Sequence, residues 1–129
     1  MKIKPGWATQ LQELREREIN IIFESCPKHC FSQCLELGAG DGFQSRLLSH
    51  YCQSLICTEY DKKKLTKVGS KHISYQICDA EQLPLYFDLN SFDLIFSSNL
   101  IEHLYRRKKV LKNIYNILKN DGVVISVVP

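Results

Sequence analysis

The sequence contains no apolar run near the ~20 residues that a transmembrane helix needs, and its first seven residues include no apolar stretch that would indicate a secretory signal. Internal repeats, low-complexity segments and a candidate linker are also missing. Charge is nearly balanced, with 17 basic and 14 acidic side chains, so the net charge of +3 does not indicate a nucleic acid partner. These absences exclude membrane insertion and predict one globular domain of 129 residues.

Six cysteines could suggest a disulfide scaffold. However, Cys34, Cys57 and Cys78 lie in apolar runs typical of buried strands, which favours reduced, packed thiols and a cytoplasmic protein. Cys26, Cys30 and Cys34 follow one another at four-residue steps, but no second pair of metal ligands accompanies them. No metal site is therefore predicted.

Hydrophobic periodicity predicts alternating helices and strands. An apolar stripe over 8–25 indicates a helix packed over a sheet or closing a ligand site, and not a membrane anchor, since its polar face is mixed in charge. Further helices are predicted from 43 onward and over 62–68, 100–104 and 108–118, strands over 34–37, 54–58, 73–78, 92–97 and 123–128, a loop around 84 and a turn at 120–122. The strands are nearly continuous apolar runs, so the fold class is α/β with a doubly wound parallel sheet.

Three glycines follow the first predicted strand in the run Glu36-x-Gly38-x-Gly40-x-Gly42. Glycines here let the backbone turn sharply and let a ligand approach main-chain N–H groups. The dinucleotide-binding pattern G-x-G-x-x-G has its third glycine one residue later and holds a pyrophosphate. The Glu36 carboxylate would repel a pyrophosphate, and it suits a ligand that carries an ammonium group. The alternative is a tight strand-to-helix turn without a ligand.

Acidic residues also end the next two predicted strands. A carboxylate at Glu59 can accept both hydroxyls of a ribose, and Tyr60 offers a flat face for a base. Asp79 can accept a hydrogen bond from an exocyclic amine. Because ligands of such sheets bind outside the carboxyl ends of the strands, these residues together predict an adenosine-like ligand with a cationic tail. Each acid taken alone could instead be a solvated cap.

Taken together, these motifs resemble those of class I S-adenosylmethionine-dependent methyltransferases. Residues 35–42 resemble the family's motif I, and Glu59 matches its acid after the second strand. The segments 79–84, 91–104 and 118–123 resemble its adenine-side segment, its fourth strand with the following helix and its turn into the fifth strand. The resemblance covers 34–129 and implies a Rossmann-like sheet in the order 3-2-1-4-5. It implies a single domain over 1–129, with a helical segment over 1–30 and a cofactor-binding core over 31–129.

The resemblance implies S-adenosylmethionine as cofactor. Gly38 and Gly40 would hold its methionine portion, Glu36 would lie near its amino group, and the Ala80 N–H would reach an adenine nitrogen. The expected cofactor-binding residues are Glu36, Gly38, Ala39, Gly40, Gly42, Glu59, Tyr60, Asp79, Ala80, Ser97 and Asn99. Glu102 and His103 are the candidate acid and base, although a histidine here is more often a surface or packing residue, and Glu102 could instead cap the helix or pair with Arg106.

The expected function is methyl transfer to a small molecule or biosynthetic intermediate. The alternatives are a truncated or degenerate cofactor-binding domain that acts as a partner or scaffold, and a nicotinamide-dependent oxidoreductase, which the glycine spacing disfavours. Family members usually continue past the fifth strand with a helix and an antiparallel strand pair. Since the sequence ends at Pro129, we expect these parts to be missing, and a dimer or partner to cover the apolar edge strand 123–128.

Overall fold

A computed structural model describes residues 6–26, 28, 30–65 and 69–129. Three helices, α1 (Trp7–Glu24), α2 (Phe43–Leu48) and α3 (Arg107–Ile117), accompany five strands, β1 (Phe31–Leu37), β2 (Cys52–Glu59), β3 (Ile73–Ile77), β4 (Phe92–Ser98) and β5 (Leu118–Val127). Short 3₁₀ turns cover Ser49–Tyr51, Ala80–Leu85 and Ile101–His103. The strands form one parallel sheet in the order β3-β2-β1-β4-β5, which confirms the predicted fold.

Each face of the sheet carries its own hydrophobic core. The core under α1 and α2 includes Ile19, Phe23, Cys34 and Phe96, and the core under α3 includes Leu35 and other strand residues. Neighbouring residues of β1 enter opposite cores because successive side chains of a strand point to opposite faces. The predicted burial of Cys34, Cys57 and Cys78 is confirmed, and all six cysteines are free thiols.

Helix α1 packs over the sheet through its second half. Ile19 and Phe23 are buried, and the Phe23 ring stacks on Tyr51 with 4.1 Å between ring centroids. The first half of α1 is less buried, since Leu11 and Leu14 are exposed. None of the described helices is both long and apolar enough to cross a membrane.

Asp93 anchors the beginning of β1, which starts three residues before its predicted first residue. Its carboxylate accepts hydrogen bonds from the backbone N–H groups of Ser32 at 2.8 Å and Gln33 at 2.7 Å. Burial raises the pKa of Asp93, but these donors and the ammonium of Lys28 outweigh it and hold the pKa below the usual value. An acid on the neighbouring strand therefore extends β1 into exposed, polar residues.

Two predicted helices differ from the structure. Residues 62–64 form a turn instead of the first part of a helix over 62–68, and 66–68 lie outside the described residues. Three consecutive lysines there offer no apolar face that packing could hold as a helix. The predicted helix over 100–104 is only the 3₁₀ turn Ile101–His103, because the chain bends at Leu104 to enter α3. The loop expected around Pro84 is the 3₁₀ segment Ala80–Leu85.

Residues 120–122, where a turn was predicted, belong to β5, and the strand has an irregular register there. Phe92 of β4 pairs with Leu118, and Leu94 pairs with Val123, so two steps along β4 oppose five along β5. The extra residues bulge from the ladder. A Cβ at Gly122 would approach the Leu118 side chain to 2.5 Å, so the bulge needs glycine there.

Candidate functional site

The loop after β1 turns on three glycines in the left-handed region. The φ angles are +70° at Gly38, +59° at Gly40 and +84° at Gly42, which precedes α2. A Cβ at Gly38 would lie 3.2 Å from Leu100 Cδ1, whereas a Cβ at Gly40 would meet no heavy atom within 4 Å. The loop is thus packed on one side and open on the other, and its backbone can be approached at Gly40.

Glu59, the last residue of β2, holds this loop. Its Oε1 accepts a hydrogen bond from the Gly40 N–H at 3.0 Å, and its Oε2 accepts one from the Asp61 N–H at 2.8 Å. The Ala39 N–H donates to the Thr58 carbonyl at 2.8 Å, so two contacts join the loop to the end of β2. A carboxylate oxygen has further lone pairs, and each Glu59 oxygen can still accept from a ligand.

Glu36 lies beneath the loop and not in a cavity wall. It is 2% exposed, and its carboxylate accepts a hydrogen bond from the Ser45 hydroxyl of α2. Burial raises the pKa of Glu36 to about 7, although hydrogen bonds from Ser45 and Cys57 act in the opposite direction. Near neutral pH, a substantial fraction of the Glu36 carboxyl groups is therefore protonated and uncharged.

A cavity of about 410 Å³ opens at the carboxyl ends of β1, β2 and β3. Glu59, Tyr60, Asp79 and Ala80 line it together with Gly38. Asp79 also accepts a hydrogen bond from the Glu81 N–H at 2.9 Å, which fixes its carboxylate at the start of the 3₁₀ segment. The lining combines the carboxylates of Glu59, Asp79 and Glu81 with the rings of Tyr60 and Tyr105, a set that suits a ribose and an aminopurine.

A second cavity, of about 430 Å³, lies on the other side of the glycine loop. Gly38 is the one residue that lines both cavities among those that the structure describes. Leu11, Gln12 and Arg15 of α1 form one wall; Ala39, Asp41, Phe43, Gln44, Ser98 and Asn99 complete it. It contains a cation and a carboxylate, Arg15 and Asp41, without an ion pair between them in the described part of the chain. A zwitterionic group fits such a lining.

A family profile described as "Methyltransferase domain" matches residues 35–126, which is most of the chain and includes the carboxyl ends of β1, β2, β3 and β4. The chain belongs to the class I S-adenosylmethionine-dependent methyltransferase family. A probable S-adenosylmethionine-dependent methyltransferase of Mycobacterium tuberculosis is 21% identical over 114 residues, covering 88% of this chain and 42% of the relative. The methyltransferase domain described here thus spans less than half the length of that relative.

Solved structures agree with this assignment. Phosphoethanolamine N-methyltransferase 1 of Haemonchus contortus, in complex with phosphoethanolamine and S-adenosylhomocysteine, superposes with a TM-score of 0.72 at 28% identity, covering 90% of this chain and 26% of that chain. The Haloferax volcanii complex of the Trm112 methyltransferase activator with its putative methyltransferase has a TM-score of 0.75 at 18% identity, covering 93% and 55%. The family's cofactor is S-adenosylmethionine.

The structure brings together some of the predicted cofactor residues and separates others. Those that line a cavity are Gly38, Ala39, Glu59, Tyr60, Asp79, Ala80 and Asn99, and those that line neither are Glu36, Gly40, Gly42 and Ser97. Ser97 is buried, and its hydroxyl lies 3.1 Å from that of Ser126 on β5. Asn99 adopts a left-handed φ of +53°, and its N–H donates to the Val127 carbonyl. The individual roles of all these residues stay predictions.

The two candidate acid–base residues differ in their position. His103 lines the 410 Å³ cavity at the ends of β1, β2 and β3, whereas Glu102 lines neither cavity. His103 Nε2 lies 3.7 Å from Glu102 Oε1, and both Glu102 carboxylate oxygens are buried without a hydrogen-bond partner among the described residues. The Glu102–Arg106 ion pair considered from the sequence is not formed, because neither Glu102 carboxylate oxygen has a hydrogen-bond partner among the described residues and only His103 lies near it.

The sequence did not identify Arg15 of α1 as a residue of the cavity wall. Arg15 is the least exposed charged residue of this helix, and all its other charged residues are exposed. The stripe over 8–25 gave both possible roles for the helix, and the structure combines them: the second half packs on the sheet and the first half lines the cavity. No local pattern distinguishes Arg15 from Arg17, because burial of one arginine depends on where the helix crosses the sheet.

Proposed function

We propose that this chain binds S-adenosylmethionine across the two cavities and takes part in methyl transfer. The adenosine portion would occupy the 410 Å³ cavity, with its ribose hydroxyls on Glu59 and its exocyclic amine on Asp79. The methionine portion would cross the loop at Gly38 and reach the cavity that contains Arg15 and Asp41. The observation that carries this proposal is Glu59, which joins the glycine loop to the wall of the adenosine-side cavity.

When bound, the cofactor would supply a methyl group carried on a positively charged sulfur. The sulfur would keep the electron pair of the broken S–C bond, and the methyl group would pass to the nucleophile. The protein then has mainly to hold donor and acceptor in line and to exclude water. Helix α1 closes one side of the second cavity, and the end of β4 at Ser98 and Asn99 closes another. We infer that the acceptor enters here, beside the methionine portion.

We propose a small molecule or biosynthetic intermediate as the acceptor, and not a nucleic acid. Cavities of about 410 and 430 Å³ offer limited room beside the cofactor. The Haemonchus contortus structure is a complex with phosphoethanolamine, and this supports a small acceptor here by analogy. His103 is the proposed base for an acceptor that must lose a proton, with Glu102 holding the imidazole; neither is needed for an acceptor that is already nucleophilic.

Isothermal titration calorimetry with S-adenosylmethionine, S-adenosylhomocysteine and NAD tests the proposal. We expect binding of the first two and no binding of NAD. A folded protein that binds neither sulfur compound would refute the proposal. Binding without methyl transfer to any acceptor in a substrate panel would favour the alternative function, a cofactor-binding domain that serves as a scaffold.

The scaffold alternative is supported by the free edge of β5. Its outer edge has no neighbouring strand among the described residues, and Val124 and Val128 are 42% and 54% exposed. We propose that a second copy or a partner covers the strand over 123–128. The methyltransferase from Haloferax volcanii forms a complex with an activator protein. Light scattering behind a sizing column tests self-association, and a monomer at all concentrations would exclude a second copy as the cover of this strand.

The free thiols support a cytoplasmic location. All six cysteines are unpaired, and four of them, Cys34, Cys52, Cys57 and Cys78, are buried. Packed thiols of this kind are typical of a reducing compartment.

A further inference from the structure

Positive charge lies mainly in two segments of the chain, residues 62–71 with five lysines and residues 105–119. Residues 105–119 contain six lysines and arginines and no acidic residue, which leaves 11 basic against 14 acidic residues elsewhere. Neither segment contains an acidic residue, and residues 105–119, which include α3, contain the larger number of basic ones. One of the six basic side chains is hydrogen-bonded within the chain: the Arg107 guanidinium donates to the carbonyls of Leu104 and Glu102. Among the described residues, no side-chain partner holds the other five.

Helix α3 presents these charges together with apolar side chains. Its inner face is buried through Val110, Asn113, Ile114 and Ile117. Its outer face, which we define as Lys108, Leu111, Lys112 and Tyr115, follows the spacing i, i+3, i+4, i+7 of a single helical stripe. On this outer face Leu111 is 49% and Tyr115 77% exposed.

A neighbouring segment extends the outer face. Leu89 lies in the loop before β4, is 68% exposed, and lines the same depression as Tyr115 and Lys119. Leucine side chains gain nothing from contact with phosphate groups, but they gain free energy when they leave water for an apolar phase. Lysine can keep its ammonium in water while its stem lies on apolar surface, and tyrosine favours an interface between the two phases.

The same surface adjoins the mouth of the adenosine-side cavity. Leu104 and Tyr105 line this cavity, and they also line a shallow depression formed with Arg106, Arg107, Lys108 and Lys109. Tyr105 is 94% exposed. A surface that binds α3 would therefore lie beside the entrance to the proposed cofactor site.

We propose that the outer face of α3, with Leu89 and Lys119, docks on an anionic lipid bilayer. The lysines contact lipid headgroups, and Leu111, Tyr115 and Leu89 enter the boundary between headgroups and acyl chains. The charge of the segment selects an anionic partner, and the interleaved leucines favour a lipid surface over a nucleic acid. This binding needs no cofactor, so its failure would leave the proposed function untouched.

Co-sedimentation of the full chain with vesicles tests this proposal. We expect binding to vesicles of phosphatidylcholine with about a third phosphatidylglycerol, weakening as salt is raised, and no binding to phosphatidylcholine alone. The double change Lys108→Glu and Lys112→Glu should weaken the partition coefficient at least about tenfold. The double change Leu111→Ser and Tyr115→Ser should weaken it several-fold without altering net charge.

A charge-matched control separates docking from general attraction. The change Lys62→Glu with Lys63→Glu alters the net charge equally on exposed residues after β2, and it should reduce binding far less. Circular dichroism checks that each variant is folded. Equal losses in the control and the α3 variant, unchanged binding by the serine variant, or binding to single-stranded RNA without binding to anionic vesicles would each overturn the proposal.

Discussion

The Glu59 carboxylate accepts a hydrogen bond from the Gly40 backbone N–H at 3.0 Å, and this contact joins the end of β2 to the loop after β1. The second carboxylate oxygen accepts from the Asp61 N–H, so Glu59 also fixes the chain that follows it. The residue proposed to bind the ribose therefore shapes the loop proposed to receive the methionine portion. A change at Glu59 should affect both ends of the cofactor site.

Replacement of Glu59 tests this double role. Glu59→Ala removes the proposed acceptor for the ribose hydroxyls, so we expect cofactor affinity to fall by about 1–3 kcal/mol in calorimetry. Glu16→Ala, on the exposed side of α1, is the matched control and should bind like the wild type. An unchanged dissociation constant for Glu59→Ala would show that the ribose assignment is wrong.

The two loop glycines should respond differently to alanine. Gly40→Ala places a methyl group in open space, so only the left-handed backbone opposes it, with a cost of about 1–2 kcal/mol of folding free energy. Gly38→Ala adds a close approach to Leu100 and should destabilise more. Urea unfolding measures both, and the same free energy for the two variants would contradict the described packing.

Arg15 should contribute to binding of the anionic end of the cofactor. Arg15→Gln removes the cation that lines the second cavity, and we expect the dissociation constant to rise about fivefold or more, as for the loss of a charge-assisted hydrogen bond. Arg17→Gln removes the same charge from an exposed position of the same helix and should have little effect. Equal effects of the two changes would mean that only overall charge matters.

Glu36 should make stability depend on pH. Its pKa is about 7 in the folded protein against an ordinary 4.5, so the folded state binds the additional proton between these values. Stability should therefore fall as pH rises through this window, by about 3 kcal/mol in total. Glu36→Gln cannot ionise and keeps an oxygen for the Ser45 hydroxyl, so its stability relative to wild type should increase over the same range. Parallel unfolding curves of the two proteins from pH 4.5 to 7 would contradict the raised pKa.

Sequence patterns predicted the elements that tertiary packing does not alter. The five strands and the first and last helices follow from apolar runs and stripes. The order of the strands in the sheet was predicted from the family resemblance, which rests on the order of the strand-end motifs. The first part of the helix predicted over 62–68 is a turn at 62–64, because three consecutive lysines offer no apolar face to bury; residues 66–68 lie outside the described residues. The bulge in β5 could not be predicted, because it depends on pairing with β4 and not on the Asn-Asp-Gly run alone.

In the candidate site, too, local patterns predicted some positions, and tertiary packing determined the others. Strand ends fix where Glu59 and Asp79 stand, and the structure places both in one cavity wall as the sequence predicted. The depth of Glu36 and the position of Arg15 depend on how α2 and α1 cross the sheet, and no spacing in the sequence records that crossing. Glu36 therefore lies behind the loop, and Arg15 stands where the sequence named no residue.

Calorimetric titration with S-adenosylhomocysteine tests whether the two cavities that share Gly38 form a single cofactor site. We predict one binding site per chain for the wild type, with affinity lowered by Glu59→Ala on one side of the loop and by Arg15→Gln on the other. A folded wild-type chain that gives no binding heat and no thermal stabilisation with S-adenosylhomocysteine would contradict the claim.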